Sequence, residues 1–262
     1  MGDAWYWTFP APEDLHPWLV CSWEAKPNGT TRLTPDGCSD LLCTSAGHVL
    51  LCGPEHRSWE FTLPDGITAV GIRFRAGQVQ ALFDINVSTL TDRQVPLTSV
   101  INPASSDQLF KAADARQTLD ARRSSLLGWF RSWSADRSPD DVSDRIVELL
   151  LASPRASQQE LADDLGLSPR TLHRRALERF GYGTSTLARL LRFQRLIALA
   201  LTEPGHTSLG ALAAEAGYAD HAHLVRDCRD ISDQPPTAFL AEHFPTFPDL
   251  TDPYGTGASQ LA

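Results

Sequence analysis

The sequence has no long apolar run and no targeting signal. No stretch approaches the ~18 uninterrupted apolar residues that a membrane-spanning helix needs. The N-terminus lacks the basic segment followed by an apolar one that marks a secretory signal peptide. Hydrophobic residues (42%) and charged residues (21%) are in the proportions of an ordinary globular protein. We therefore expect a soluble cytoplasmic protein, long enough at 262 residues for two domains.

The cysteines lack the spacing of a metal site. Five are present, an odd number with no C-x-x-C pair: Cys21, Cys38, Cys43, Cys52 and Cys228. His48 and His56 extend three of them into a loose Cys/His series, but strand-like residues surround each thiol. We predict reduced thiols that act as small core residues, and neither a metal nor another cofactor.

Positive charge is scarce and unevenly placed. Lysine occurs only twice and the net charge is −9, the wrong sign for a nucleic-acid partner. Residues 168–195 nevertheless hold seven arginines against one acid, Glu178, whereas residues 196–243 hold two arginines against seven acids. The seven are Arg170, Arg174, Arg175, Arg179, Arg189, Arg192 and Arg195. Arginine makes bidentate contacts with guanine and phosphate, so 168–195 is a candidate DNA-binding region.

Residues 1–104 are predicted to form a β-rich domain. Turn sequences separate short apolar runs, which are Leu19–Trp23, Asp40–Ser45, Val49–Cys52, Trp59–Leu63 and Ala69–Phe74. Regular short strands punctuated in this way indicate a small barrel or sandwich. Its aromatic residues either line an effector pocket or form an ordinary β core; the candidates are Trp7, Trp23, Trp59, Phe61 and Phe74.

Residues 105–137 are predicted to be a helical connector. Its apolar positions exceed one packed stripe and include Trp129, Phe130 and Trp133. We expect that these aromatics or the edges of the β domain mediate a homodimer; the alternative is that the aromatics only seal the two domains together. The last residues, 246–262, have the composition of a disordered tail.

The C-terminal half carries two copies of one helical plan. In the first, Ser157 caps a helix that ends at Gly166, and Ser168 with Pro169 begins the next. In the second, Ser208, Gly217 and Asp220 take the corresponding places. A buried helix, 184–201, joins the two. Helix, tight turn and capped helix make a helix-turn-helix, and two rigidly joined units could enter successive major grooves.

These residues resemble the AraC/XylS family of transcription regulators. The match covers about residues 140–243, and AxxAGYADxAHLxRxxR followed by PPxxFL is its most specific part. RLTPDGCSDLL, GPE and AVGIRFRAG are similar to the cupin-like regulatory domain of some members. The resemblance implies an α+β multidomain protein: an N-terminal β-barrel, cupin-like domain (1–104), the helical connector, and an all-α double helix-turn-helix domain of seven helices (138–245).

The resemblance also implies which residues contact DNA. In the first recognition helix they are Arg170, Thr171, His173 and Arg174, with Arg175 alongside, and in the second they are His221, Ala222, His223 and Arg226. The sequence departs from the family at three places. Ala176 and Cys228 replace the usual phenylalanine, and Asp233 replaces a turn glycine. Ala222 is too small to read a base except through a thymine methyl.

The expected function is sequence-specific transcription regulation in response to a small-molecule effector. The expected partners are double-stranded DNA, the effector, RNA polymerase and a second copy of the chain. The alternative is a metal-dependent cupin-type enzyme fused to a DNA-binding module, with candidates Asp36, Asp40, His48, Glu55 and His56. The sequence has no HExxH, nucleophile elbow or phosphate-binding loop, so we expect no enzyme. We expect any effector signal to pass through the connector and residues 135–140.

Overall fold

The computed structural model describes residues 5–112, 116–202 and 208–243. The first part contains eight strands, which form two antiparallel sheets. They are β1 (Tyr6–Pro10), β2 (Leu19–Ala25), β3 (Thr30–Leu33), β4 (Ser39–Thr44), β5 (Val49–Cys52), β6 (Trp59–Thr62), β7 (Ala69–Phe74) and β8 (Gln94–Pro96). The five predicted strands are confirmed to within two residues at each end.

The larger sheet has six strands in the order β1-β2-β7-β4-β5-β8, and β3 pairs with β6 in a separate ribbon. Among the described residues β1 and β8 remain the edges of the large sheet, so the sheet does not close on itself. The predicted β-rich domain is confirmed, but in place of the predicted barrel it has an open arrangement of two sheets.

Strand β7 divides the β domain into two cores because its side chains alternate between the faces of the sheet. Val70, Ile72 and Phe74 are fully buried on the face that the connector covers. Ala69 belongs to the cluster on the opposite face, together with Trp23. A Cβ at Gly71 would lie 2.2 Å from the Trp23 ring, so this position requires glycine. The two faces therefore bury separate sets of side chains.

The connector packs on the first of these faces. Its helices are α2 (Pro103–Ala112) and α3 (Leu119–Ser134), and the short α1 (Val79–Phe83) precedes them. Phe130 is fully buried 5.6 Å from the Phe74 ring, and Trp133 stacks on Phe83 at 5.8 Å. These aromatic side chains pack in the hydrophobic core of the β domain. They seal α3 onto the sheet, and of the three aromatics of α3 only Trp133 is partly exposed; the dimer stays a prediction.

Seven helices form the described C-terminal region, as the family resemblance implies. They are α4 (Asp141–Ala152), α5 (Gln158–Asp164), α6 (Pro169–Phe180), α7 (Thr184–Thr202), α8 (Leu209–Glu215), α9 (His221–Ser232) and α10 (Pro236–His243). Helix α7 is central, with Leu187, Leu190 and Phe193 fully buried. No helix in the described ranges has the length and apolar character to cross a membrane. The predicted tail, 246–262, lies outside the described residues, and the boundaries at 104 and 137 stay predictions.

Candidate nucleic-acid interface

The first helix-turn-helix is α5, a glycine turn and α6. Ser157 and Glu160 form both bonds of the predicted capping box, and Gly166 makes the turn with φ +63°. The Ser168 side chain accepts a hydrogen bond from the Thr171 amide and starts α6, with Pro169 at its first position. Leu172, Ala176 and Phe180 are buried, so this stripe anchors α6 to the domain core.

The opposite face of α6 is open to solvent and basic. Arg170, His173 and Arg174 are exposed, and all three lie in the N-terminal half of the helix. Arg174 donates to the Glu178 carboxylate at 3.0 Å, one turn later. The Thr171 hydroxyl lies 2.9 Å from the Ser168 hydroxyl, and Arg175 is half-buried. Recognition helices contact base edges through N-terminal residues, which is where these side chains lie.

The second unit, α8, turn and α9, repeats the backbone but not the surface. Ser208 and Asp220 cap the two helices, and Gly217 makes the turn with φ +97°. His221, Ala222 and Arg226 are exposed, but His223 is not turned outward. Its ring packs edge-on against Tyr218 at 5.2 Å, and its Nε2 lies 3.3 Å from an Asp227 carboxylate oxygen. Three of the four predicted DNA-contacting residues of this unit are therefore exposed, and the fourth, His223, is held toward the protein.

A polar network joins the two units behind their recognition helices. Asp227 is buried on α9 and pairs with Arg192 of α7 at 3.5 Å. Arg192 also donates to the Pro154 carbonyl at 2.8 Å, between α4 and α5. From the same loop, Arg155 donates to the carbonyls of Gly217 and Tyr218 in the second turn. The first unit is thus fastened to the turn of the second.

Comparison with known families agrees with this geometry. Residues 161–242 match a helix-turn-helix domain, and residues 140–177 match a winged helix-turn-helix DNA-binding domain. The C-terminal region is an AraC-type helix-turn-helix domain. Residues 8–96 match a domain of unknown function. No protein with curated annotation matches the chain.

Among solved structures, the chain is similar to ToxT from Vibrio cholerae. One such structure has 11% sequence identity and a TM-score of 0.46, and covers 91% of this chain and 98% of that chain. Another, ToxT with unsaturated fatty acid bound, has 13% identity and a TM-score of 0.42, with coverages of 92% and 96%.

Acids within the AraC-type domain pair with much of its arginine charge. Arg189 meets Asp230 at 3.4 Å and Arg192 meets Asp227. Arg179 pairs with Asp140, the N-cap of α4. The sum over 168–195 therefore overstates the charge that faces solvent. What is exposed on α6 is the local group around Arg170 and Arg174.

The five predicted effector-pocket residues do not all come together. Phe74 lies under the connector, whereas Trp23 lies on the other face of the sheet and donates to Asp40 at 2.8 Å. Phe61 packs into the Trp23 cluster, and the Trp59 ring meets Phe61 at 5.7 Å. Trp7 lies beneath the Lys26 ammonium group, 5.0 Å from its ring centroid. Trp23, Phe61 and Trp59 are therefore the candidates that remain linked by contacts, on the face of the sheet opposite the connector.

The carboxylates of the enzyme alternative are also separated. Asp36 and Asp40 both pair with Arg73, at 3.1 and 3.3 Å. Burial raises the pKa of Asp40, and the Arg73 guanidinium opposes that shift. Glu55 and His56 lie instead beside Asp92. All five cysteines are buried as reduced thiols, and no group of metal-binding side chains occurs within the described ranges.

Direct contacts between the β domain and the DNA-binding domain were missed by the sequence analysis. Thr91 donates to the Gly181 carbonyl at 3.0 Å, and Gln194 donates to the Pro35 carbonyl at 2.7 Å. At the second unit, the Ser58 amide donates to the Ile231 carbonyl at 2.6 Å. The domains therefore also meet outside residues 135–140. The one sequence signal for this interface is Asp233 in place of a glycine, because its carboxylate pairs with Arg32 of β3.

Proposed function

We propose that this chain is a sequence-specific DNA-binding transcription regulator that reads DNA mainly through α6. The observation that carries the proposal is the exposed set on α6 within a helix-turn-helix whose other face is buried. Arg170 and Arg174 are one turn apart at the reading end of that helix. Each is suited to guanine or phosphate. Because the ligand is DNA, we place the protein in the cytoplasm.

Selection of bound sequences from a random DNA library tests the proposal. The full chain should enrich one motif and bind it at least about 1,000-fold more tightly than unrelated DNA at the same salt concentration. The double variant Arg170→Ala, Arg174→Ala should enrich no motif while unfolding at the wild-type urea concentration. A matched control is Arg145→Ala, which removes an exposed arginine of α4 that pairs with Glu148. Absence of enrichment by the wild type would refute the function.

Effector control is the second part of the proposal. Its location is best supported on the side of the β domain that holds Trp23 and Phe61, because Phe61 lies on the same ribbon as Arg32 and packs against the Trp23 cluster. The same ribbon meets the last turn of α9. A ligand between the sheets would therefore act on the DNA-binding domain directly. A thermal-shift screen of small apolar acids and bases, with Phe61→Ala as the variant that loses the shift, tests this location.

Two further partners stay predictions. RNA polymerase is expected of a transcription regulator, and a second copy of the chain is expected if the operator has paired half-sites. The burial of Trp129 and Phe130 favours the edges of the β domain over α3 as the dimer contact. Sedimentation of the full chain with and without its selected DNA decides between one and two copies.

A further inference from the structure

The β domain contacts the C-terminal ends of both recognition helices. At α6, Thr91 bonds to the carbonyl of Gly181, the residue that ends the helix. At α9, Ser58 bonds to the carbonyl of Ile231, and Arg32 Nη2 lies 2.9 Å from a carboxylate oxygen of Asp233. The N-terminal ends of both helices, which read DNA, stay exposed. The β domain therefore holds the two helices without covering them.

Asp233 is poorly suited to its own helix. It ends α9 in the left-handed conformation, with φ 59° and ψ 13°. Gly181 ends α6 with φ 80°, and glycine is the residue favoured there because it has no Cβ. A carboxylate at a C-terminus is also disfavoured by the helix dipole. Local structure thus favours glycine at 233, and the contact with Arg32 is what the aspartate adds.

The second unit has few other means of holding its place on DNA. Asp227 faces inward and Asp230 pairs with Arg189. Ala222 stands where α6 has Arg170, so the reading end of α9 has one exposed arginine, Arg226, where α6 has two. An orientation that DNA does not impose must come from the protein.

We propose that Arg32 and Asp233 are positioning residues for DNA binding, through which the β3–β6 ribbon fixes the second recognition helix relative to the first. The expected effect on DNA binding rests on the proposed function. The contact between Arg32 and Asp233 can be tested without DNA, because it exists in the free protein.

Hydrogen exchange of the Ser58 amide measures the contact without DNA. Asp233→Gly removes the carboxylate and leaves the residue that the backbone prefers, so α9 stays capped. Arg32→Gln removes the partner from the other domain. Both variants should exchange this amide about two to five times faster than wild type, as expected for an exposed ion pair. Asp230→Asn, which removes an equal charge from α9, should exchange at the wild-type rate.

The selected operator supplies the functional readout. Removing an acid near DNA should by itself tighten binding, and Asp230→Asn measures that effect. Relative to this control, we expect Asp233→Asn to bind about three times more weakly. It should also lose less affinity than wild type when one base pair is inserted between the two halves of the operator. The conservative variant Arg32→Lys should keep the wild-type affinity and the wild-type dependence on spacing.

Two results would overturn the proposal. One is wild-type exchange of the Ser58 amide in Asp233→Gly and Arg32→Gln, since the pair would then hold nothing. The other is faster exchange with affinity and spacing dependence equal to those of Asp230→Asn, since the contact would then not position the helix. If the wild type selects no DNA motif, the proposed function fails and the positioning role falls with it, whatever the exchange rates are.

Discussion

The two helix-turn-helix units share a backbone and differ in what they show to solvent. Their recognition helices α6 and α9 are both twelve residues long, follow a capping side chain and end in the left-handed conformation. At matched places Arg170 corresponds to Ala222, and Arg175 to the inward-facing Asp227. In the second helix Asp227 thus binds another helix of the protein, whereas the matched residue of the first helix is the basic Arg175. A repeated fold does not imply a repeated function.

The largest expected effect is on stability at Asp227. Asp227→Ala leaves Arg192, whose side chain is only 13% exposed, without its carboxylate partner. We expect a loss of about 2–3 kcal/mol in the free energy of unfolding, because breaking a buried pair leaves a charge uncompensated. Arg175→Ala, at the matched place in α6, should change it by less than about 0.5 kcal/mol. Urea unfolding measures both, and equal losses would mean that the two positions are not different.

The next effect is on DNA affinity at Arg170. Arg170→Ala should weaken binding to the selected motif by about 1–3 kcal/mol and relax the preference at one base position. Unfolding should stay as in the wild type, because the side chain is exposed. Fluorescence anisotropy with the motif and with single-base variants measures the effect. Unchanged affinity and an unchanged base preference would mean that α6 does not lie in the major groove.

The smallest expected effect is on the pH dependence of stability. It should differ between the two contacts of the β domain with the recognition helices, at Gly181 of α6 and at Asp233 of α9. Near Gly181, burial and a hydrogen bond with Asp92 raise the pKa of Glu55 to about 8, above its ordinary value of 4.5. Glu55 therefore stabilises the folded state most below its ordinary pKa, and this contribution is lost as the pH rises through about 8. The His56 ring lies beside the same Asp92 carboxylate.

Glu55→Gln should remove this pH dependence. Between pH 6 and pH 9 the wild type should lose on the order of 1 kcal/mol more unfolding free energy than the variant, after allowing for partial exposure. Asp233→Asn should leave the difference intact, because it acts at the other junction. Parallel pH profiles of wild type and Glu55→Gln would show that the carboxyl group does not carry the effect.

Local patterns in the sequence predict the helices and turns well. Ser157 with Glu160, Ser168 with Pro169, and Gly217 are short-range signals, and all five act in the structure as predicted. Strands β1, β3 and β8 were missed because prolines or polar residues interrupt their alternation. Strand pairing depends on residues far apart in the chain, so the open sheet could not be predicted from these signals.

Side-chain direction was harder to predict than helix position. The periodicity that puts Arg170 and Arg174 outside cannot show that Asp227 draws His223 inward, because that depends on Arg192 of another helix. The arginine sum had the same weakness, since Arg179 and Arg189 pair with acids outside the counted region. The sequence contains one signal of the contacts between domains, which is Asp233 at a position where glycine is usual.

Footprinting of the two matched arginines tests the central claim most directly. Arg174 and Arg226 occupy equivalent, exposed places in α6 and α9. On the selected operator, each alanine variant should lose its own phosphate contact and lower the salt dependence by about one unit of slope. The account predicts that Arg174→Ala loses protection and affinity over the first half of the operator, and that Arg226→Ala loses clearly less over the second. An equal or larger loss for Arg226→Ala would contradict the conclusion that the first unit is the main reader of DNA.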